Sequence, residues 1–385
     1  MDASKRDRIL TTHVGSLPRP KDLLDLMKAR LAGAPHDKAA YDARVKSAVA
    51  ECVLRQVQCG IDVVSDGELS KPGFFTYVRE RLGGFEPRPQ QKRRMFPAEV
   101  AAFPEYYEKY FREAMTGGAI APVVPLVCVG PVQYRGTEAL KRDIENLKAA
   151  AVAAGAHGAF VPAVAPSGVG TNEYYSSEEE FFHAVGAALS AEYRAIVDAG
   201  LQLQVDDPFL CDIFADPELD TAQRRRRAAM YVDAVNGSLR GIAPEKVRYH
   251  TCYGINEGPR IHEAALSDVV AYMLEVNAGA YSFEGANPRH EHEYHLWESV
   301  KLPEGKTLIP GVITHASNIV EHPELIAERL ARFANLVGRE HVIAGADCGF
   351  SSQASYHTEV HPTVVWAKFQ ALRDGARLAS GRLWP

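Results

Sequence analysis

Short apolar runs alternate with amphipathic helical stretches along this chain, and this alternation restricts the possible folds most strongly. Eight runs are expected to be strands, and they begin near Ile9, Ile61, Gly158, Gln202, Val247, Tyr281, Thr307 and His341. Helical periodicity separates them, for example over Lys21–Leu31, Glu178–Asp198 and Glu263–Val276. Because such alternation produces a parallel sheet, and eight strands close a barrel, the sequence predicts an α/β protein with a (β/α)8 TIM barrel.

One barrel accounts for the whole length, because this fold commonly uses about 250 residues or more as one domain. We therefore expect residues 1–385 to form a single catalytic barrel domain. The stretch 83–135 lacks helical periodicity and is rich in proline and aromatic residues. It is predicted to be an insertion after the second strand-helix unit, lying as a lid beside the barrel mouth. An open doubly wound sheet is the alternative, but no G-x-G-x-x-G motif supports it.

Charge and composition exclude several classes of protein. The formal net charge of −6 and the pI near 6.2 do not favour binding to nucleic acid or to an anionic membrane. No apolar run approaches the ~20 residues that a membrane helix needs, and the first residues lack the apolar segment of a signal peptide. Six scattered cysteines are typical of a reducing compartment with free or metal-bound thiols. We expect a cytoplasmic protein, and the sequence leaves a homo-oligomer open.

Residue types that bind zinc follow three of the predicted strands. His250 and Cys252 end the run that begins at Val247, Glu284 ends the Tyr281 run, and Cys348 ends the His341 run. Catalytic groups of a (β/α)8 barrel lie at the carboxyl ends of its strands, so these side chains are expected to converge. One imidazole, two thiolates and one carboxylate suit Zn²⁺. A closed structural zinc site is the next possibility, but such sites are typically cysteine-rich loops.

A second histidine-rich stretch, His290-Glu-His-Glu-Tyr-His295, also contains metal-ligand residue types. It follows a predicted strand and begins a predicted helix. Because a charged, solvated helix surface is more common at such a place than a metal site, we expect these residues to be exposed and without a metal.

These motifs resemble a known family. His250-Thr-Cys252, Phe283-Glu284 and Asp347-Cys348-Gly349 are similar to the zinc signature of cobalamin-independent methionine synthases, in their C-terminal catalytic domain. The resemblance extends over nearly the whole chain, and the order of the motifs makes it specific. It implies a (β/α)8 barrel, a zinc ion held by His250, Cys252, Glu284 and Cys348, and a small-molecule thiol and alkyl donor as substrates.

Four further residues receive roles from this resemblance. Ser16, in Thr11-Thr-His-Val-Gly-Ser16, matches the serine that holds the carboxylate of homocysteine. Glu68 in Asp66-Gly67-Glu68 and Asp206 in Gln204-Val-Asp206 match the residues that contact its ammonium group. The segment from Gly311 to Asn318 resembles the one that carries the catalytic histidine, here His315, with one residue fewer before it. His315 is the expected acid for the leaving group.

The chain also departs from the family pattern. The tryptophan on which the folate pterin stacks has no clear counterpart, and the corresponding stretch ends in Tyr174 and Tyr175, which we expect to contact the donor instead. The chain resembles the short, one-domain members, which include epoxyalkane:coenzyme M transferases. The favoured prediction is zinc-dependent methyl transfer from a 5-methyltetrahydrofolate-type donor to homocysteine. The alternatives are addition of a thiol to another electrophile, and a zinc-dependent binding or sensor protein.

Overall fold

The computed structural model describes residues 6–35, 37–91, 95–115, 118–120, 123–254 and 256–384. Within these ranges the chain forms eleven strands. In chain order they are β1 (Leu10–Thr11), β2 (Val63–Val64), β3 (Leu82–Pro87), β4 (Leu126–Tyr134), β5 (Gly158–Val164), β6 (Thr171–Asn172), β7 (Gln202–Asp206), β8 (Val247–His250), β9 (Ala280–Phe283), β10 (Thr307–Ile313) and β11 (Ile343–Ala346).

Twelve α-helices connect and surround these strands in the described ranges. They are α1 (Lys21–Leu31), α2 (Lys38–Gln58), α3 (Val78–Arg81), α4 (Pro97–Ala102), α5 (Pro104–Tyr110), α6 (Thr137–Ala154), α7 (Glu178–Asp198), α8 (Phe209–Ala215), α9 (Thr221–Ser238), α10 (Leu266–Glu275), α11 (Pro323–Val337) and α12 (Pro362–Leu383). Short 3₁₀ segments include Glu291–Glu298, and a π-helical turn covers Phe111–Met115. No helix in the described part is both long and apolar enough to cross a membrane.

Eight of the strands form one parallel sheet in the order β1-β11-β10-β9-β8-β7-β5-β2. A parallel bridge between Thr12 and Val63 joins β1 to β2 and brings the two ends of the sheet together. These are the eight strands expected from the sequence, and the helices between them make the fold a (β/α)8 barrel. The fold prediction is therefore confirmed, and the carboxyl ends of all eight strands meet at one face.

Local sequence signals set most helix boundaries. Asp37 caps α2 by accepting from the backbone N–H groups of Ala39 and Ala40, and Ser177 caps α7 by accepting from that of Glu180. The predicted bounds of α1 and α7 are confirmed. The predicted helix from Glu263 begins instead at Leu266, because Glu263 is held in the β8–α10 loop by ion pairs with Arg260 and His290.

The barrel interior contains a buried cation as well as apolar side chains. Arg248 on β8 is 2% exposed, and its guanidinium lies 3.9 Å from the ring centroid of Phe160 on β5. It donates to the Thr12 hydroxyl at 2.9 Å and to the carbonyl oxygen of His13 at 2.8 Å. Arg248 thus ties β8 to the end of β1 beneath the mouth of the barrel.

The segment predicted as an insertion contains an antiparallel hairpin, β3 and β4, with α4 and α5 between its strands. The short strand β6 pairs with β4 and completes a small second sheet. Tyr106 donates from its hydroxyl to the carbonyl oxygen of Glu257 at 2.9 Å, and the N–H of Glu257 donates to the hydroxyl of Tyr110 at 3.2 Å. The helices of the insertion therefore lie against the β8–α10 loop. The role of 83–135 as a lid stays a prediction.

Candidate active site

Three of the four predicted zinc ligands form one buried cluster. His250 is the last residue of β8, Cys252 follows two residues later, and Cys348 lies two residues beyond β11. Their potential ligand atoms all lie within 4.8 Å of one another, and the two Sγ atoms are 3.3 Å apart. Parallel strands of one barrel create this convergence, because residues 96 positions apart along the chain leave the sheet at the same face.

The ligand atoms of this cluster, one imidazole nitrogen and two thiol sulfurs, suit a zinc ion. Nδ1 of His250 is hydrogen-bonded to the Ser282 hydroxyl at 3.0 Å, which orients the ring and leaves the buried Nε2 without a partner. Burial lowers the pKa of His250 to about 3, and the charge of Arg248 adds to the effect, so the imidazole is in its neutral, metal-binding form. The neighbouring Cys348 thiol and burial raise the pKa of Cys252. A metal cation bound between Cys252 and Cys348 would stabilise both sulfur atoms in the thiolate form.

Glu284, the fourth predicted ligand, is buried close by but has other partners. Its Oε1 accepts from the backbone N–H of Tyr253 at 3.0 Å, and its Oε2 accepts from Arg260 at 2.7 Å and from Asn287 at 2.6 Å. The structure groups this carboxylate with His315 and Asp347, whose potential ligand atoms lie within 4.8 Å of it. Its coordination of zinc stays a prediction.

The predicted substrate residues line the same cavity as the thiol cluster. Ser16 after β1, Glu68 after β2 and Asp206 at the end of β7 surround a small space of about 30 Å³. The other walls include His250, Cys252 and Cys348. The backbone passes very close to Ser16 at Gly349, where a Cβ atom would lie 2.0 Å from the serine hydroxyl oxygen, so a side chain there would displace that hydroxyl. We call this space the substrate cavity.

Two buried carboxylates give the substrate cavity its charge. Burial raises the pKa of Glu68, against the opposing effect of Lys71, whose Nζ lies 3.8 Å from Oε2. Burial and the charge of Glu68 also raise the pKa of Asp206 well above its ordinary value. Glu68 has a left-handed backbone with φ of 55°, and its Oε2 lacks a hydrogen-bond partner. A cationic group placed between Glu68 and Asp206 would lower the free-energy cost of burying both negative charges.

His315 lies close to His250 and forms a buried group with Glu284 and Asp347. It follows β10 and is 1% exposed, and both ring nitrogens lack hydrogen-bond partners. Burial lowers the pKa of His315 to about 4, helped by the charge of Arg260 and opposed by that of Asp347. Asp347 is anchored through Oδ1, which accepts from the N–H groups of Gly285 and Ala286 at 2.8 Å, while its Oδ2 has no partner.

Sequence reasoning did not find the ion-pair network behind Glu284. Arg260 is 4% exposed and binds both Glu284 and Glu263, and His290 bridges Glu263 and Glu293 at 2.9 and 2.8 Å. The expectation that His290 would be solvated is wrong, because its ring is buried by stacking on Tyr253 at 4.0 Å. No local signal marks Arg260, since it lies in an irregular loop with φ of 58°.

The two tyrosines predicted to contact the donor lie near the small sheet. Tyr174 is 51% exposed, and its ring packs edge-on against Tyr175 at 5.0 Å. The hydroxyl of Tyr175 accepts from the backbone N–H of Val132 on β4 at 3.0 Å. Neither residue lines the substrate cavity. Their contact with a donor stays a prediction.

The fold and the site together define a (β/α)8-barrel protein with a thiol-rich, metal-type cluster at its catalytic face. The sequence profile described as "Cobalamin-independent synthase, Catalytic domain" matches residues 9–93 and 168–367, which is well over half of the chain. The chain therefore belongs to the cobalamin-independent methionine synthase family. Membership makes it an enzyme, a methyltransferase, and is consistent with methyl transfer to homocysteine.

Similar proteins agree with this assignment. The methionine synthase of Sulfolobus acidocaldarius is 24% identical over 343 residues, which cover 88% of this chain and 85% of that protein. The methionine synthase of Thermococcus kodakarensis is 23% identical over 347 residues, covering 88% and 86%. Among solved structures, a B12-independent methionine synthase from Shewanella sp. W3-18-1 in complex with selenomethionine superimposes with a TM-score of 0.71, at 18% identity and 98% and 99% coverage. A putative vitamin-B12-independent methionine synthase from Listeria monocytogenes gives 0.67, at 17% identity and the same coverage.

Proposed function

We propose that this protein transfers a methyl group from a 5-methyltetrahydrofolate-type donor to the thiol of homocysteine, in a zinc-dependent reaction. One observation carries the proposal: the three clustered ligand residues and the three predicted substrate residues line a single buried cavity. A thiol seated among Ser16, Glu68 and Asp206 would therefore lie against His250, Cys252 and Cys348. The resemblance of these residues to the family motifs supports the same roles.

The charges of the substrate cavity favour an amino acid that carries a thiol. Glu68 and Asp206 are buried carboxylates that repel one another, so they would bind the ammonium group of homocysteine between them. The Ser16 hydroxyl would donate to its carboxylate. Coenzyme M has no ammonium group, so this pair favours homocysteine over a thiol of that kind.

We propose that the metal is zinc, held by His250, Cys252 and Cys348 with Glu284 as the fourth protein residue. Zinc bound there would supply the positive charge that keeps the substrate thiol deprotonated near neutral pH. Glu284 would bind the metal through Oε1, which has a lone pair beyond the one that accepts from the Tyr253 N–H. Arg260 and Asn287 would hold Oε2 in place.

His315 is the residue proposed to deliver a proton to the leaving nitrogen. A methyl group on a tertiary amine is a poor electrophile, so the departing nitrogen must be protonated. The unpartnered ring nitrogens of His315 are free to accept and pass on that proton. The nearby Asp347 carboxylate favours the charged imidazolium, which burial alone disfavours.

The test is product analysis by mass spectrometry after zinc-loaded protein is incubated with a panel of thiols and methyl donors. We expect methionine from homocysteine, about one zinc per chain by elemental analysis, and no methylation of coenzyme M at a comparable rate. Turnover that is unchanged after complete removal of zinc would contradict the metal dependence. A preference for a thiol without an ammonium group would contradict the substrate.

A further inference from the structure

A second cavity lies directly outside the substrate cavity. Its volume is about 270 Å³, and it shares Phe74, Pro208 and Gly254 with the substrate cavity. Gly254 is two residues from Cys252, so a molecule in this outer cavity would lie next to the position proposed for the acceptor thiol. The space is therefore well placed for a methyl donor, and we call it the outer cavity.

Aromatic rings form much of the wall of the outer cavity. Phe74 and Phe75 pack edge to face with centroids 4.9 Å apart, and each lies 6.3 Å from Phe209. Phe96, from the insertion, and Tyr253, from the β8–α10 loop, add two more rings to the lining. Aromatic faces attract cations through their quadrupole, and several rings around one cavity recognise sulfonium and quaternary ammonium groups in this way.

Glu99 on α4 adds a negative charge to this aromatic wall. It lines the outer cavity and is 3% exposed. Its Oε1 accepts from the backbone N–H of His262 at 2.5 Å, while the buried Oε2 has no hydrogen-bond partner. Within the described ranges, no ion pair neutralises this carboxylate. Glu263, which also lines the cavity, differs because Arg260 and His290 both pair with it. The unpartnered Oε2 would attract a cation placed in the outer cavity.

We propose that the outer cavity binds methyl onium cations, sulfonium or quaternary ammonium compounds, as methyl donors, and that Glu99 recognises their positive charge. This extends the range of donors beyond the folate type and rests on the proposed function for the acceptor thiol. The thiol sulfur attacks the methyl carbon, and a new S–CH3 bond forms. The bond from that carbon to the onium centre breaks, and its electron pair stays on the leaving sulfide or tertiary amine. The thiol proton passes to solvent.

Binding can be measured without turnover. Zinc-loaded full-length protein is titrated with trimethylsulfonium and with tetramethylammonium by calorimetry, in wild type, Glu99→Gln and Glu108→Gln. Glu99→Gln keeps the shape and the acceptor for His262 but removes the charge, and should weaken binding by about tenfold or more. Glu108 is exposed on α5 of the same insertion, so Glu108→Gln should bind as wild type does. Phe75→Leu tests the aromatic wall independently and should also weaken binding. Equal affinity in all variants would overturn the proposal.

Turnover then separates this proposal from the proposed function. Homocysteine is offered with a dimethylsulfonium donor, with a betaine-type ammonium donor, with a folate-type donor and with methyl iodide, which is uncharged. We expect methionine from an onium donor, with a KM that rises about tenfold in Glu99→Gln at nearly constant kcat, and no change with methyl iodide. Which onium donor is faster distinguishes sulfur from nitrogen. Catalysis with methyl iodide but with neither onium donor would refute the onium site alone. No catalysis with any donor, the folate type included, would refute the proposed function.

Discussion

The buried His290 should make the stability of the catalytic face depend on pH. Burial alone would lower the pKa of His290, but its hydrogen bonds to Glu263 and Glu293 raise that pKa to about 9. Glu263 in turn holds Arg260, and Arg260 holds Glu284. The charge on His290 therefore supports a chain of ion pairs that ends beside the thiol cluster.

The size of the effect follows from the difference in pKa between the folded and unfolded chain. A rise from 6.5 to about 9 corresponds to about 3 kcal/mol in the free energy of unfolding, at about 1.4 kcal/mol per pKa unit. Because the pKa is raised on folding, this stabilisation is complete below about pH 6.5. It is lost progressively as the pH rises and is nearly absent above about pH 9.

The assay is denaturant unfolding of wild type and His290→Gln between pH 6 and pH 9.5. Other titrating groups largely cancel in the difference between the two proteins. That difference should shrink by about 3 kcal/mol from the acid to the alkaline end. His295→Gln is the matched control, because His295 lies in the 3₁₀ segment that follows His290. Its only ion pair in the described part of the chain, with Glu298, is solvent-exposed and should contribute little to stability, so the difference between this variant and wild type should stay nearly constant. A constant difference for His290→Gln would refute the reasoning.

Three further changes test the site. Cys348→Ala should lose most of the zinc and turnover by elemental analysis and product assay, yet keep its circular dichroism spectrum. Full retention of both would place the metal elsewhere. His315→Asn should retain zinc and homocysteine binding while turnover with a folate-type donor slows by roughly 10²–10⁴-fold. Equal losses with methyl iodide would instead give His315 a positioning role. Arg260→Leu leaves Glu263 and Glu284 without their buried partner and should destabilise the protein by about 3–5 kcal/mol in denaturant unfolding. A loss below about 1 kcal/mol would show that these carboxylates find other partners.

Much of the fold could be predicted because its signals are local. The bounds of α1 and α7 follow from helical periodicity and, for α7, from the Ser177 cap. The sequence predicts that α10 begins at Glu263, because glutamate has a high helix propensity. In the structure α10 begins at Leu266, because Arg260 holds Glu263 in the preceding loop. Within the insertion, the pairing of β3 with β4 could not be predicted, because strand pairing depends on contacts outside any local window.

The sequence by itself determined the order of strands and helices and the placing of His250, Cys252 and Cys348 at strand ends. The regular repeat of the barrel then brings such positions to one face whatever the loops do. Only the tertiary structure decided which side chains surround them. Glu284 meets Arg260 across an irregular loop, and Glu99 meets His262 across 163 residues. No periodic sequence pattern marks these contacts, because they arise where loops and an inserted hairpin pack over the barrel mouth.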